Sequence, residues 1–592
     1  MLSEGGRRHE PHVAILLALF LAVAIVLTFP NVSRLHSYIA GDSGDGLLNL
    51  WIIRRVQIGL PHGWHGFWDA PIFWPARGTL AYSDTLLPVA LLHWPLRLIL
   101  GDTLAFNVLY LAAWVLSSWC VYRLAMRFVR HWGAALVAAL AYTYSASRLI
   151  HQQHFQLVVG GALVPFVLLL LFRLFDAPSG PRGVALGLGF AALALSASYF
   201  GAMMAVVVAI VAIALLIVRR QRGLRPYLIA LSAAAAVVVV LVAPIGVKYW
   251  QLQRHPEFRR EFTSSDATHL SDFLATGEHS YVLDHLPLIP EESRPSKHRF
   301  ENRLFPGLVT LGFAAVGVAL VVRRLRRRPR DPHVLELAFV ALAGVVALVL
   351  SFGDWVRVFG HRVYLPFAVF RKLVPGFAGI RAVSRLELAF QLALVLVAAV
   401  GVDALLARIN AAPGRRAVVA IGVAALVVAE SAMSLVFVRV PTAADDGGVN
   451  TALRSRPNGV VLELPINSAA RGVAWPAAES PRQLVALRDH DPRVNGYSGF
   501  QPKGFDLQTA VLDHFPQADA LGLARRLGVR YVVLRTQLVG PVVPATAVPV
   551  VDRNGAGRYD PKVAANMVAN LPPGAASAVV KLPGGYLVEL AP

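Results

Sequence analysis

Gly41-Asp42-Ser43-Gly44-Asp45-Gly46 follows closely on an apolar run at residues 13–30 and leads into the apolar and amphipathic stretch Leu47 to Ile58. Three glycines let the backbone turn tightly and bring two carboxylates to the place where the chain leaves an apolar segment. The plain alternative is a capped turn, with Asp45 closing the following helix. A calcium loop would need more oxygen ligands at alternate positions and a distal Glu, and these are missing. The meaning of the loop depends on whether the run before it crosses a membrane. Of the 592 residues 56% are hydrophobic and 15% charged, and mean hydropathy is +0.56, against roughly 25% charged in an ordinary soluble protein. Disorder and a purely soluble enzyme are excluded.

A bilayer core needs about 20 mainly apolar residues per helix, because lipid offers no partner to backbone N–H and C=O groups. Eleven segments qualify, at approximately 13–30, 103–122, 133–147, 157–175, 183–198, 201–218, 227–247, 306–322, 334–352, 384–407 and 416–438. Arg7 and Arg8 precede the first, and no small-x-small cleavage site follows it, so it reads as an uncleaved signal anchor.

The net charge of +21 follows the same topology. With the N-terminus inside, successive inner connections carry Arg123, Arg127 and Arg130, then Arg173 and Arg182, then Arg219, Arg220, Arg222 and Arg225. The last two hold the run Arg323 to Arg330 and then Arg408, Arg415 and Arg416. Short inner loops collect such residues, so most of the basic excess is a topology signal and not a nucleic-acid footprint. Residues 85–100 are apolar but interrupted by Pro88, His93, Trp94 and Pro95, and read as a helix lying in the outer interface. The single cysteine, Cys120, excludes an intramolecular disulfide, a Cys-based zinc site and a redox pair.

The expected fold is therefore mainly α: a polytopic membrane protein of about eleven transmembrane helices, N-terminus in and C-terminus out, with interfacial helices on the outer face. Residues 1–439 form the transmembrane domain with outer loops 31–102, 248–305 and 353–383, and residues 440–592 a small extracytoplasmic α/β domain. In that tail Val460 to Leu464 and Val529 to Leu534 read as strands, Phe505 to Leu527 mostly as helix, Val539 to Arg558 as loop, and Ala578 to Leu590 as a hairpin turning at Pro583-Gly584-Gly585. Localisation to the inner, cytoplasmic membrane of a cell follows as an expectation.

Three groups of residues could carry chemistry. Asp42 and Asp45 are the first; Asp69 and Asp84 lie farther along the same loop, Asp69 as a turn residue and Asp84 as a cap for the interfacial helix. The second is Arg148, His151, Gln152, His154 and Gln156, at the outer end of the third span. Steps of three and four bring Arg148, His151 and Gln152 to one side of a helical turn. They suit either a lipid phosphate or headgroup snorkelling, while no carboxylate or cysteine nearby in sequence completes a metal site. The third runs from Phe370 to Arg385, where Arg381 and Arg385 stand four apart at the outer boundary and orientation does not require them. Glu387 and Gln391 follow inside the span. An intramembrane carboxylate is a functional candidate by default, its bland reading being an internal pair with Arg385 or another residue of the bundle. Gly187 and Gly189 read as helix-packing contacts. No Gly-x-x-x-x-Gly-Lys-Ser/Thr, His-Glu-x-x-His or Gly-x-Ser-x-Gly motif occurs.

An acidic loop directly after the first span, with interfacial helices before the second, resembles the GT-C superfamily of membrane glycosyltransferases. The resemblance extends to Pro75-Ala76-Arg77-Gly78, to Arg148 through His154, and to Leu373-Val374-Pro375-Gly376-Phe377 through Ser384-Arg385. Asn495-Gly496-Tyr497-Ser498-Gly499-Phe500 and Leu527 to Val533 in the tail resemble bacterial YfhO-like and related members. Membership implies transfer of a sugar, hexosyl or pentosyl, from a polyprenyl-phosphate donor to a glycan, lipid or protein acceptor on the outer face. The superfamily's catalytic acid maps to Asp42 or Asp45, the usual acidic dipeptide being split here by Ser43 and Gly44. Arg148, His151, His154, Arg381 and Arg385 become candidate partners of the donor phosphate. Some members hold a divalent cation (Mg or Mn) at such acids and others need none, so the resemblance leaves the metal open. The competing classes are a transporter or flippase of lipid-linked sugars, which should place polar residues at the midplane of several helices, and a non-catalytic envelope assembly protein whose aspartates are only caps.

Overall fold

The computed structural model describes residues 10–219, 223–254, 267–276, 280–283, 302–358, 361–374, 380, 382–409, 413–471, 474–489, 491–539 and 557–592. Each of the eleven expected spans overlaps a helix, but two stop short: 133–147 breaks after Trp132–Thr143, and 416–438 is helical only to Ser431 and then runs into the strand Phe437–Arg439. Seven helices are long and apolar enough to cross a membrane: Asp102–Ala125, Phe155–Asp176, Ser198–Arg219, Arg225–Arg254, Leu308–Arg327, Pro332–Ser351 and Val383–Arg408. The protein is thus a mainly α, polytopic membrane protein. Arg7, Arg8, Arg220, Arg222, Arg381, much of loop 248–305 and most of the loop from Val539 to Arg558 lie outside the described residues.

Small residues let these helices approach closely, since packing rather than the hydrophobic effect associates helices in lipid. A Cβ at Gly317 would sit 2.0 Å from the carbonyl oxygen of Val397, and one at Gly401 2.2 Å from that of Phe313. Gly187 packs in the same way on Ala234, and Gly189 on Leu170. Polar ties gather at one end of the bundle. Arg127 donates to Asp176 (2.7 and 2.8 Å) and to Glu336 (2.7 and 3.1 Å), and Arg219 donates to Glu336 (3.1 Å). Asp403 accepts from the Arg130 and His131 amides, both at 2.9 Å. At the other end, Glu430 accepts from the amides of Leu308 and Val309 and closes the start of helix Leu308–Arg327.

The interfacial segment forms helix Leu87–Leu100, with Leu91, Leu92, Leu98 and Ile99 exposed. Its His93 is buried, 3.0 Å from Gln57 and 3.0 Å from the Asp102 carbonyl. Asp84 does not cap this helix. Leu86 has φ +49° and turns the chain away before Pro88, and Asp84 instead accepts from the amide (2.9 Å) and hydroxyl of Ser198, capping helix Ser198–Arg219.

The strands are β1 (Tyr38–Ala40), β2 (Trp355–Val358), β3 (His361–Tyr364), β4 (Phe437–Arg439), β5 (Val460–Leu464), β6 (Val529–Arg535), β7 (Ala576–Leu582) and β8 (Gly585–Leu590). β2 and β3 make a hairpin, and β1 pairs antiparallel with β4, Ile39 opposite Val438, so the chain entering the tail is tied to the loop that follows the first helix. The tail sheet has the order β5-β6-β8-β7, with β5 and β6 parallel and the other pairs antiparallel. Helix Ala474–Ala486, absent from the expected elements, lies between β5 and β6 in sequence.

β5 is buried along its length, yet carries Glu463. One carboxylate oxygen accepts from Arg493 Nε (2.9 Å) and the other from Arg535 Nε (2.8 Å); Arg493 continues to Asp489 and Arg535 to Asp446. Burial alone would raise the Glu463 carboxyl, but the guanidinium groups of Arg535 and Arg493 bring it to about 2. Glu463→Ala should therefore leave two buried guanidinium groups undercompensated and lower stability by about 3–5 kcal/mol, as is typical of breaking one side of a buried ion pair. Thermal unfolding of the purified protein measures this, and an unchanged melting temperature would contradict it.

Candidate active site at the outer-loop aspartates

Gly41 follows the last residue of β1; its φ of +104° is one an L side chain rarely adopts, and its Cβ position lies 2.6 Å from Gln153 Cβ. Only glycine lets this loop sit against the turn 151–154. Asn49, on helix Asp45–Gly59, secures the contact by donating to the carbonyls of Asp45 (2.7 Å) and Gln153 (3.3 Å).

The two aspartates have different surroundings. Asp42 Oδ1 accepts from the amides of Gly44 (2.9 Å) and Asp45 (3.0 Å) and so closes the start of the helix, a role the sequence suggested for Asp45. Burial and the neighbouring Asp45 charge raise the Asp42 carboxyl above the usual carboxylate range, against the pull of His154 and the two amides. Asp45 faces outward, its side chain 29% exposed, with His154 Nε2 2.8 Å from Oδ2 and the Tyr497 hydroxyl donating to Oδ1 at 2.6 Å.

The third span stops at Thr143, and a separate short helix, Ala146–Ile150, precedes the turn. The His151 and His154 rings are 5.6 Å apart. His151 in turn lines a narrow cavity, with about 40 Å³ open to water, together with Ser147, Arg148, Ser384, Arg385 and Glu387. Leu157, Val158, Phe200, Leu304 and Leu388 supply its apolar wall. Thus the aspartate loop, His154, His151 and the cavity are contiguous. Arg148 is 6% exposed, its guanidinium over the rings of Trp114 and Tyr142 and donating to Ser117 Oγ at 2.6 Å. Among the described residues no carboxylate lies within ion-pair distance of it. Arg385 lies over the Tyr199 ring at 4.9 Å.

Of the residues singled out in the sequence, Asp42, Asp45 and His154 come together at the loop, and Arg148, His151 and Arg385 at the cavity. Arg381 lies outside the described residues. Gln152 is structural, accepting from Tyr110 (2.9 Å) and donating to the Val436 carbonyl (2.9 Å). Glu387 makes no ion pair with Arg385. Tyr497 was not among the expected site residues; its one signal was the tail motif Asn495 to Phe500. Trp475 packs edge-on against Tyr497 at 4.9 Å, and Phe500 stacks on Tyr82 at 4.4 Å. Trp74 donates to the carbonyls of Arg493 (2.8 Å, from its amide) and Leu527 (2.8 Å, from its indole). A divalent ion fits poorly here. Among the described residues no group of three His, Cys, Asp or Glu is placed to share one, and amide, hydroxyl and imidazole donors already face the carboxylates.

This architecture, with a carboxylate loop behind the first span and a polar cavity beside it, is that of the GT-C fold. The arabinofuranosyltransferase AftD from Mycobacteria superposes on the chain with a TM-score of 0.54 at 16% identity, over 89% of this chain and 35% of its own length. The chain therefore spans about a third of that relative. The oligosaccharyltransferase of Archaeoglobus fulgidus aligns with a TM-score of 0.49 at 12% identity, over 88% and 69% of the two chains. ArnT from Cupriavidus metallidurans, bound to undecaprenyl phosphate, aligns with 0.44 at 13% identity, over 98% of each. No curated protein matches in sequence. The chain belongs to the family described as a domain of unknown function, DUF6311, whose model matches residues 12–430.

The docking of loop on turn is directly testable. Gly41→Ala should cost about 1–3 kcal/mol, the scale of a strained backbone conformation, seen as a lower melting temperature of the purified protein. Wild-type stability would show that the close approach to Gln153 is not required.

Proposed function

We propose that the protein is a membrane glycosyltransferase that moves a sugar from a polyprenyl-phosphate donor to an acceptor hydroxyl on the extracytoplasmic face of the cell membrane. The observation that carries this reading is the contiguity of a half-buried, oriented carboxylate, Asp45, with a cavity at the membrane edge bearing Arg148, His151 and Arg385. The GT-C fold supports it. In this reading residues 440–592 form an outer domain and the basic end of the bundle faces the cytoplasm.

The acceptor oxygen attacks the anomeric carbon, the bond from that carbon to the phosphate oxygen breaks, and the acceptor proton passes to Asp45. An ordinary aspartate, near pKa 3.9, is a weak base, useful late in the transition state and mainly through positioning. Tyr497 and His154 fix its carboxylate. The leaving group is a lipid phosphate, which requires charge stabilisation more than an acid; Arg385 and His151 supply donors, and the buried charge of Arg148 adds to the field. Asp42 holds the turn that presents Asp45.

Asp45→Asn should lower transfer from labelled polyprenyl-phosphate sugars by about 10²-fold or more, while Asp42→Asn, whose amide oxygen can still accept from Gly44 and Asp45, should retain more activity. Full activity of Asp45→Asn would overturn the assignment. Orientation is tested separately: a cysteine at exposed Ser577 (Ser577→Cys) should react with an impermeant maleimide in intact cells, and labelling only after lysis would reverse the topology.

A further inference from the structure

Glu387 opens the helix Glu387–Arg408 at the wall of the cavity and is 4% exposed. Its Oε1 is buried without a hydrogen-bond partner, and among the described residues nothing forms an ion pair with its carboxylate. Its neighbour one turn on behaves differently: Gln391 Oε1 accepts from the hydroxyls of Ser145 and Ser147, both at 3.2 Å. A buried carboxylate without donors is costly, and intramembrane acids persist where they serve a ligand or a pathway. Arg148, on the same cavity, is likewise without a carboxylate partner among the described residues. The cavity therefore holds two buried groups of opposite character that do not satisfy one another. A ligand presenting an anion to one and hydrogen-bond donors to the other would complete both. A sugar joined to a phosphate has this chemistry, and the apolar wall of Leu157, Val158, Phe200, Leu304 and Leu388 suits the lipid side of such a molecule.

We propose that Glu387 recognises the sugar of the lipid-linked donor, its carboxylate accepting hydrogen bonds from ring hydroxyls while the cavity's arginines hold the adjoining phosphate. This rests on the donor reading above and adds a specificity residue to it. The carboxylate that reads the sugar is then distinct from Asp45, which meets the acceptor.

Binding of radiolabelled undecaprenyl phosphate, bare or carrying a pentose or a hexose, to full-length protein in nanodiscs tests the proposal. Wild type should bind one sugar-bearing lipid more tightly than the bare one. Glu387→Leu should weaken that binding roughly tenfold or more, the scale of losing hydrogen bonds to a charged group, with affinity for bare undecaprenyl phosphate unchanged. Glu387→Gln, which keeps one acceptor, should fall between. Removal of an unsatisfied buried polar group should also hold or raise the melting temperature of the ligand-free protein, a readout that needs no ligand. A lower melting temperature in both variants, or equal loss of sugar-bearing and bare lipid, would make Glu387 structural and overturn the proposal. If wild type binds all these lipids equally, the sugar-recognition proposal fails while phosphate binding stands; if it binds none, the donor reading falls as well.

Discussion

The contact between the loop at Gly41 to Asp45 and the turn at His151 to His154 is the constraint on which the site depends. It sets the half-buried Asp45 carboxylate against an imidazole and places a second imidazole on the cavity. Three features make it: the left-handed Gly41, the two carbonyls bridged by Asn49, and the His154–Asp45 pair. The third span stops at Thr143 so that non-helical backbone can form this turn. Irregular backbone at such a depth is tolerated where protein or a cavity surrounds it, as it does here.

The tail is part of the same construction. β4 pairs with β1 just ahead of the aspartate loop, Pro476 packs on Gly44, and Tyr497 reaches Asp45. A buried ion network centred on Glu463 braces the neighbouring chain, since Asn495 donates to the Glu463 carbonyl at 2.8 Å while Arg493 binds its carboxylate. Order in the tail sheet is thereby connected to the position of the Asp45 side chain.

Much of this was legible in the sequence. Apolar length gives the helices, because it is a local property of composition. The interfacial helix Leu87–Leu100 and the strands β5, β6, β7 and β8 follow from local pattern as well. Pairings are not local. Asp84 finds Ser198 across 114 residues and Asp45 finds Tyr497 across 452, and no periodicity records either. The proposed choice of Asp45 over Asp42 was equally beyond spacing: it rests on which carboxylate the amides of the turn engage. Glu387 was visible as an intramembrane acid, but its lack of a partner is a property of the packed bundle.

The central claim is that this cavity receives the phosphate of a polyprenyl lipid beside the Asp45 loop. A cryo-EM structure of the protein with undecaprenyl phosphate tests it most directly. The account predicts phosphate density among Arg148, His151 and Arg385, at charge-assisted hydrogen-bond distances of about 2.7–2.9 Å from at least one of their donors, with the lipid tail leaving along Phe200 and Leu388. Phosphate bound instead at the opposite end, near Arg127 and Arg219, would contradict it.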